Sequence, residues 1–220
     1  MTGRESVLLS AVGMTIWRGD NLLVDAVDVQ VQRGGVVQIQ GSNGSGKTTL
    51  LRSLIGLAEF DEGEISWCGR PFRQVRDELY AALVYLGHKA GISGGLTPFE
   101  NLRALCPELN SKSVHVPEVR RRVAVVLDEL GIGDRIDLPS AALSAGQQRR
   151  ISLARLRLQE ALLWVLDEPL TSLDADGYAW VRDEIRRHVA RGGGVLFTTH
   201  QPLDFGGDPA VQTIALSDND

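Results

Sequence analysis

Gly41-Ser42-Asn43-Gly44-Ser45-Gly46-Lys47-Thr48 is the stretch on which the reading of the whole chain turns. It fits G-x-x-x-x-G-K-[ST], the spacing of a phosphate-binding loop. The residues before it, Val36-Val37-Gln38-Ile39-Gln40, read as a short buried strand, and Thr48 to Leu57 reads as a helix. That strand–loop–helix context is what the motif requires. Glycines let the backbone fold back so that consecutive N–H groups point inward around an anion. The helix start adds its unpaired N–H groups and the positive end of its dipole. In this arrangement Lys47 reaches the outer phosphates and the Thr48 hydroxyl holds Mg²⁺.

Upstream, residues 7–16 and 22–31 are two strand-like runs around the polar turn Arg18-Gly19-Asp20-Asn21. The second alternates Val27, Val29 and Val31 with Asp28 and Gln30, as a half-buried strand does. The pair is expected as an antiparallel hairpin laid beside the strand of the phosphate loop. Trp17, at the turn, offers a flat apolar face on which a nucleotide base can stack; Arg18 competes for that place, and a mere hairpin cap is the plainer reading.

Composition sets limits. The chain has 220 residues, enough for one large α/β domain or two small ones. Hydrophobic residues make up 43% and charged residues 23%, with a net charge of −5, which disfavours nucleic acid as a partner held by bulk charge. No apolar run approaches the ~18–20 residues needed to span a bilayer. Met1-Thr2-Gly3-Arg4-Glu5-Ser6 is not expected to be a secretion signal. Cys68 and Cys106 are far apart, form no C-x-x-C, and fit free thiols in a reducing cytosol. Cys106-Pro107 with His115 nearby admits a haem contact, but a buried thiol at a helix end fits better.

Downstream, Glu64-Ile65-Ser66-Trp67 reads as a short strand and Ala82-Leu83-Val84-Tyr85-Leu86 as a buried one. Gly87-His88-Lys89 leaves the C-terminal end of the latter, where ligands sit in open α/β sheets. Gly91 to Gly95 has the composition of a flexible linker. Thr97-Pro98-Phe99-Glu100 then starts a helix with a capping box and proline at the first turn. Val119, Val123, Val126, Leu127 and Leu130 follow at helical spacing, with Gly131 as a stop and Arg120, Arg121 and Arg122 as a solvated face. The fold class is therefore α/β. A core of about 1–90 and 161–220 is interrupted by a helical subdomain of about 91–160.

Two further sites carry chemistry. The apolar run Leu162-Leu163-Trp164-Val165-Leu166 ends in Asp167-Glu168, which puts two carboxylates at the end of a buried strand, expected next to the phosphate-loop strand. One can orient the Mg²⁺ shell, the role of Asp167, and the other can polarise the attacking water, the role of Glu168. His200 ends the strand Val195-Leu196-Phe197-Thr198-Thr199 and can bond the γ-phosphate or hold the water-orienting carboxylate. Ser144 and Gln147 form a second capping box at a helix start, where Ala145 and Gly146 leave the tip free of bulk for another anion. A partner chain could present that tip to the phosphate loop, so that a nucleotide is sandwiched between two subunits.

Together these stretches resemble the ATP-binding cassette (ABC) ATPase family over nearly the whole chain. Gly41–Thr48 resembles its Walker A motif, Leu162–Asp167 its Walker B motif, with Glu168 as the catalytic glutamate. Leu143-Ser144-Ala145-Gly146-Gln147 resembles its signature, with Ala145 where a glycine is usual. Ser172-Leu173-Asp174 resembles its D-loop, and His200 its switch histidine. The resemblance implies a P-loop NTPase fold with a RecA-like parallel-sheet core, an N-terminal antiparallel β subdomain and an inserted helical one. It implies ATP contacts from Gly41 through Thr49 and from Trp17, and Mg²⁺ held by Thr48 and Asp167. It further implies trans contacts to ATP from Ser144, Ala145, Gly146 and Gln147, within a homodimer of cassettes that drives a membrane partner. The family's usual glutamine after the Ala82–Leu86 strand is replaced by His88. Imidazole favours softer metals than Mg²⁺, so a coupling role suits His88 at least as well. Tyr85-Leu86-Gly87-His88, Gly91-Ile92, Leu96-Thr97, Glu100-Asn101-Leu102, the 143–150 stretch and Thr198-Thr199-His200-Gln201-Pro202-Leu203 are similar to the ATPase subunits of bacterial cytochrome c biogenesis, or haem export, complexes. That likeness implies integral membrane subunits of the CcmB and CcmC type, release of a haem-loaded chaperone of the CcmE type, and a place on the cytoplasmic face of the inner membrane. Its rivals are a cassette for another transported substrate, a soluble non-transport cassette acting on ribosomes or DNA, and a nucleotide switch with little turnover.

Overall fold

A computed structural model of the chain describes residues 6–110, 115–200 and 203–217. The expectations for Met1–Glu5 and for Gln201-Pro202 lie outside the described residues. The described chain divides into two compact units. The first comprises 1–85, 161–168 and 186–220, and the second comprises 86–160 and 169–185. Residues 169–185 thus cluster with the helical unit, where the sequence reading assigned them to the core.

The first unit holds two sheets. Strands β1 (Val7–Arg18), β2 (Asn21–Gln32), β4 (Glu62–Trp67) and β5 (Arg70–Pro71) form an antiparallel sheet in the order β2-β1-β4-β5. The expected hairpin is present, with Trp17 opposite Leu22 and Val27 opposite Met14. It belongs to a separate antiparallel sheet from that of the phosphate-loop strand, because β1 gives its other edge to β4. The second sheet runs β6-β7-β8-β3-β9, from β3 (Val36–Gln40), β6 (Leu83–Leu86), β7 (Leu163–Asp167), β8 (Gly194–Thr198) and β9 (Val211–Ala215). β3 pairs in parallel with β8 on one side and β9 on the other, and β7 pairs in parallel with β8. The carboxylate-bearing β7 is therefore one strand removed from β3, not adjacent to it. All residues of β7 and β8 are buried, which is why both read as unbroken apolar runs. The helix α1 (Lys47–Leu54) packs Leu50, Leu51 and Leu54, all fully buried, into the same core as Leu8, Ile39, Val165 and Leu196. The short helix α2 (Arg76–Ala81) adds Leu79 to that core.

A histidine inside this unit has no part in the site. His188 stacks face to face on Trp164, with ring centroids 3.9 Å apart and planes 8° from parallel. The backbone at Gly193 closes over the ring so tightly that a Cβ there would sit 2.2 Å from Nε2. That nitrogen is buried with no hydrogen-bond partner. Burial, with a smaller push from Arg191, lowers its pKa to about 4. The unfolded chain then binds a proton here between about pH 6.5 and 4 that the folded chain refuses, so stability is lost as pH falls through that window. The loss amounts to up to roughly 3 kcal/mol. Urea midpoints at pH 7 and pH 5 are expected to differ less for His188→Gln than for the native chain, and equal differences would contradict the burial argument.

The second unit is helical: α3 (Pro98–Leu105), α4 (Val116–Glu129) and α5 (Ala145–Leu158), with the first part of α6 (Ala175–Ala190). The capping box predicted at Thr97 and Glu100 is formed on both sides. Val119, Val123, Val126, Leu127 and Leu130 meet Ile151, Ala154 and Leu158 in one core. Cys106 is fully buried there, and burial drives its thiol up to about 12, as befits a packed side chain. Gly91–Gly95 is not the free linker expected. Asn101, buried, accepts from the Ser93 N–H at 2.8 Å and donates to the carbonyls of Ser93, Leu96 and Thr97 and to the Ser140 hydroxyl.

Candidate functional site

The phosphate loop joins β3 to α1 by a tight route. Gly41, Gly44 and Gly46 all have positive φ. A Cβ at Gly41 would lie 2.4 Å from Ser45 Oγ, and one at Gly46 would press on Leu23 and Val24 at 3.2 Å, so the cradle tolerates glycine alone at both. Helix α1 begins with no acidic residue in its first turn and no side-chain cap at Gly46, leaving its N–H groups for an outside anion. Ser45 Oγ is buried without a hydrogen-bond partner, an orphan that a phosphate oxygen would satisfy. Lys47 is buried and bends back over the loop, donating to the carbonyls of Gly41 at 2.9 Å and Ser42 at 2.5 Å.

Asp167 arrives from the end of β7. The Thr48 hydroxyl donates to its carboxylate, with Oδ1 at 3.0 Å and Oδ2 at 2.9 Å. Thr198 Oγ1, from the intervening β8, donates to Oδ1 at 2.9 Å. Thr198 is thus the piece that spans the one-strand gap, and the sequence reading passed over it. A hydroxyl and a carboxylate converging beside a phosphate cradle are hard oxygen donors of the kind that Mg²⁺ takes alongside nucleotide phosphates.

Glu168 follows in left-handed backbone, φ +51, a conformation unusual for a residue with a Cβ. Its N–H is held by both the carbonyl, at 3.2 Å, and the hydroxyl, at 3.1 Å, of Thr198. The strained turn lifts its carboxylate away from the strand end and towards His200. The His200 N–H donates to Oε2 at 3.3 Å, and His200 Nε2 stands 3.3 Å from Oε1. His200 thus bears on the carboxylate through side chain and backbone together. Lys47, Thr48, Asp167, Glu168 and His200 all belong to the first unit. So does Trp17, a residue 48% exposed at the end of β1, whose backbone N–H donates to Asp61 Oδ2 at 2.7 Å.

The remaining expected residues belong to the second unit. Ser144 caps α5, and its capping box with Gln147 is complete, so Ala145 and Gly146 form the helix tip. His88 is exposed. The loop that carries it is held from α5: Arg149 Nη1 donates to the Gly87 carbonyl at 2.7 Å, and the Ser152 hydroxyl donates to the Ala90 carbonyl. From sequence, Arg149 enters only within the 143–150 stretch and Ser152 not at all, and neither anchoring bond is legible there. Asp174 caps the start of α6 through the Gly177 N–H at 2.9 Å, the bond that contributes most to holding its carboxyl below the usual range.

A phosphate cradle, a carboxylate on the P-loop threonine and a second carboxylate, carried on a left-handed turn beside a histidine, define a nucleotide-hydrolysing cassette. Residues 24–171 match the ABC transporter family, to which the chain belongs as an ATP-binding, ATP-hydrolysing domain. Its curated relatives narrow this further. The cytochrome c biogenesis ATP-binding export protein CcmA of Vibrio vulnificus is 41% identical over 211 residues, 96% of this chain and 100% of the relative. CcmA 1 of Salmonella paratyphi A is 45% identical over 203 residues, 92% of this chain and 90% of the relative. An ATP-binding cassette solved as a dimer in a post-hydrolysis state with ADP and Pi superposes with a TM-score of 0.77, covering 88% of each chain. At 21% identity, that likeness establishes the fold alone.

Proposed function

We propose that this chain is the ATP-hydrolysing subunit of a membrane complex for c-type cytochrome biogenesis, energising haem export or release of a haem-loaded chaperone. The observation that carries the pathway is the end-to-end likeness to CcmA, at 41–45% identity over 92–96% of the chain. The chemistry rests on the site. The triphosphate lies in the 41–49 cradle with its outer charge met by Lys47, and its base stacks on Trp17. Thr48 and Asp167 hold Mg²⁺, which neutralises phosphate charge when bound. Glu168 orients a water in line with the γ-phosphate and takes its proton. His200 keeps that carboxylate aimed.

The catalytic core is then the first unit, with the helical second unit supplying the tip at Ser144, Ala145, Gly146 and Gln147. Two copies pair head to tail, and each tip closes on the other's nucleotide. His88, in the loop anchored by Arg149 and Ser152, serves as the relay to the membrane subunits, of the CcmB and CcmC type. The chain binds peripherally to them on the cytoplasmic face of the inner membrane. Among the described residues, no helix is long and apolar enough to cross a bilayer.

Affinity purification of the tagged full chain from bacterial membranes tests the pathway. Integral membrane subunits that handle haem are expected to co-purify. Recovery of ribosomes, or of a permease for another solute, would overturn it.

A further inference from the structure

We infer that Arg150 is a positioning residue that locks the serine-led tip of α5 to the Ser172-Leu173-Asp174 loop, so that the tip is presented to a partner's nucleotide as one rigid piece with that loop. The inference rests on the dimeric reading proposed above.

Arg150 joins three elements of the second unit. Its Nη2 donates to Asp174 Oδ2 at 2.5 Å, and its Nη1 donates to the carbonyl of Leu130, the C-cap residue of α4, at 2.6 Å. Gly131, the next residue, has φ +69, and a Cβ there would stand 2.9 Å from Nη1. Glycine both permits the turn and leaves room for the guanidinium. The arginine side chain is 16% exposed while that of Asp174 is 61% exposed, so a fixed cation reaches out to hold a surface loop. The loop touches the same helix at a second point. A Cβ at Gly146 would fall 2.9 Å from the Ser172 carbonyl oxygen, so the first turn of α5 and the loop lie backbone to backbone. Ser172 itself has φ +65, a left-handed conformation that persists only where its surroundings hold it.

An ion pair this exposed at one end contributes little to folding. Its consequence is geometric: the guanidinium fork serves a carbonyl and a carboxylate at once, which a lysine ammonium, a point charge, does not reproduce. Without it, the tip and the loop keep their close approach at Gly146–Ser172 but lose the guanidinium that ties Asp174 to the helix, and the surface offered to a second chain is less firmly one piece.

The test uses the full chain in a Glu168→Gln background with Mg-ATP, measuring dimerisation by light scattering and binding of a fluorescent ATP analogue to the monomer. Arg150→Met is expected to weaken ATP-dependent dimerisation by about tenfold while leaving analogue binding within about twofold. Asp174→Asn, which keeps the cap on α6, is expected to do the same, and Arg150→Lys to restore only part. The combined Arg150→Met and Asp174→Asn chain is expected to be no weaker than the worse single change, because both break one link. Should Arg150→Met compromise folding, as thermal melting would reveal, Asp174→Asn carries the test. Unchanged dimerisation in Asp174→Asn, or effects of the two changes that multiply, would overturn the inference. A Glu168→Gln parent that stays monomeric would sink the dimeric reading, and this inference with it.

Discussion

Replacing Lys47 by alanine is expected to lower ATP turnover by at least about 100-fold, the scale of losing one preorganised charge at a developing anion. The reason lies in how the side chain is kept. Lys47 is buried, and its ammonium is fastened to the Gly41 and Ser42 carbonyls, so its charge already stands at the mouth of the cradle before any ligand arrives. A flexible surface lysine would have to be ordered on binding. This one is ordered beforehand, and its contribution is not lost to entropy. Alanine leaves two loop carbonyls facing the phosphates with no cation between them, which turns a local attraction into a repulsion. A steady-state phosphate-release assay, with equilibrium binding of labelled ATP beside it, reads both effects. Unchanged turnover would contradict the assignment of the loop.

Replacing Glu168 by glutamine is expected to separate binding from hydrolysis. Turnover should fall by roughly 10²–10⁴-fold, the usual contribution of a positioned general base. Nucleotide affinity should be retained, because Lys47, Thr48 and Asp167 are untouched. The amide keeps the shape of the side chain and the Glu168 N–H bonds to Thr198, so the left-handed turn survives. What it loses is the capacity to take a proton, and with it the pull on His200. With Mg-ATP the variant should therefore accumulate as a dimer of twice the 23.9 kDa chain. Retention of native turnover would show that another group activates the water.

Much of this site is legible in the residues because its chemistry is local. The cradle needs glycines and a lysine at fixed spacing, and the capping boxes at Thr97 and Ser144 need a hydroxyl and a partner three residues on. The apolar runs of β7 and β8 announce buried parallel strands. What escaped the sequence reading is pairing across long separations. Nothing local in Val211–Ala215 says that it closes the sheet beside β3, since its exposed pattern is that of an edge. Nothing in the 7–32 hairpin says that it joins β4 and not β3. The one-strand gap between β3 and β7 follows from the same blindness, and Thr198 went unnoticed because a threonine in a buried strand is ordinary. The bonds of Asn101 and Arg150 are not legible for a related reason, although both residues lie in stretches that carry the family likeness. Polar residues on a helix read as solvated until the carbonyls they serve are brought to them by the fold.

The central claim is that each nucleotide is held by the Lys47 loop of one chain and the Ser144 tip of another. It is tested most directly by photolabelling in mixed dimers. A Lys47→Ala chain, which cannot seat nucleotide in its own loop, is mixed with a Glu168→Gln chain in the presence of Mg²⁺ and ATP carrying a photoreactive group on the γ-phosphate. Peptide mapping is expected to find label on the 144–150 peptide of the Lys47→Ala chain. Label confined to the chain that carries Lys47, with dimers formed, would contradict the shared site.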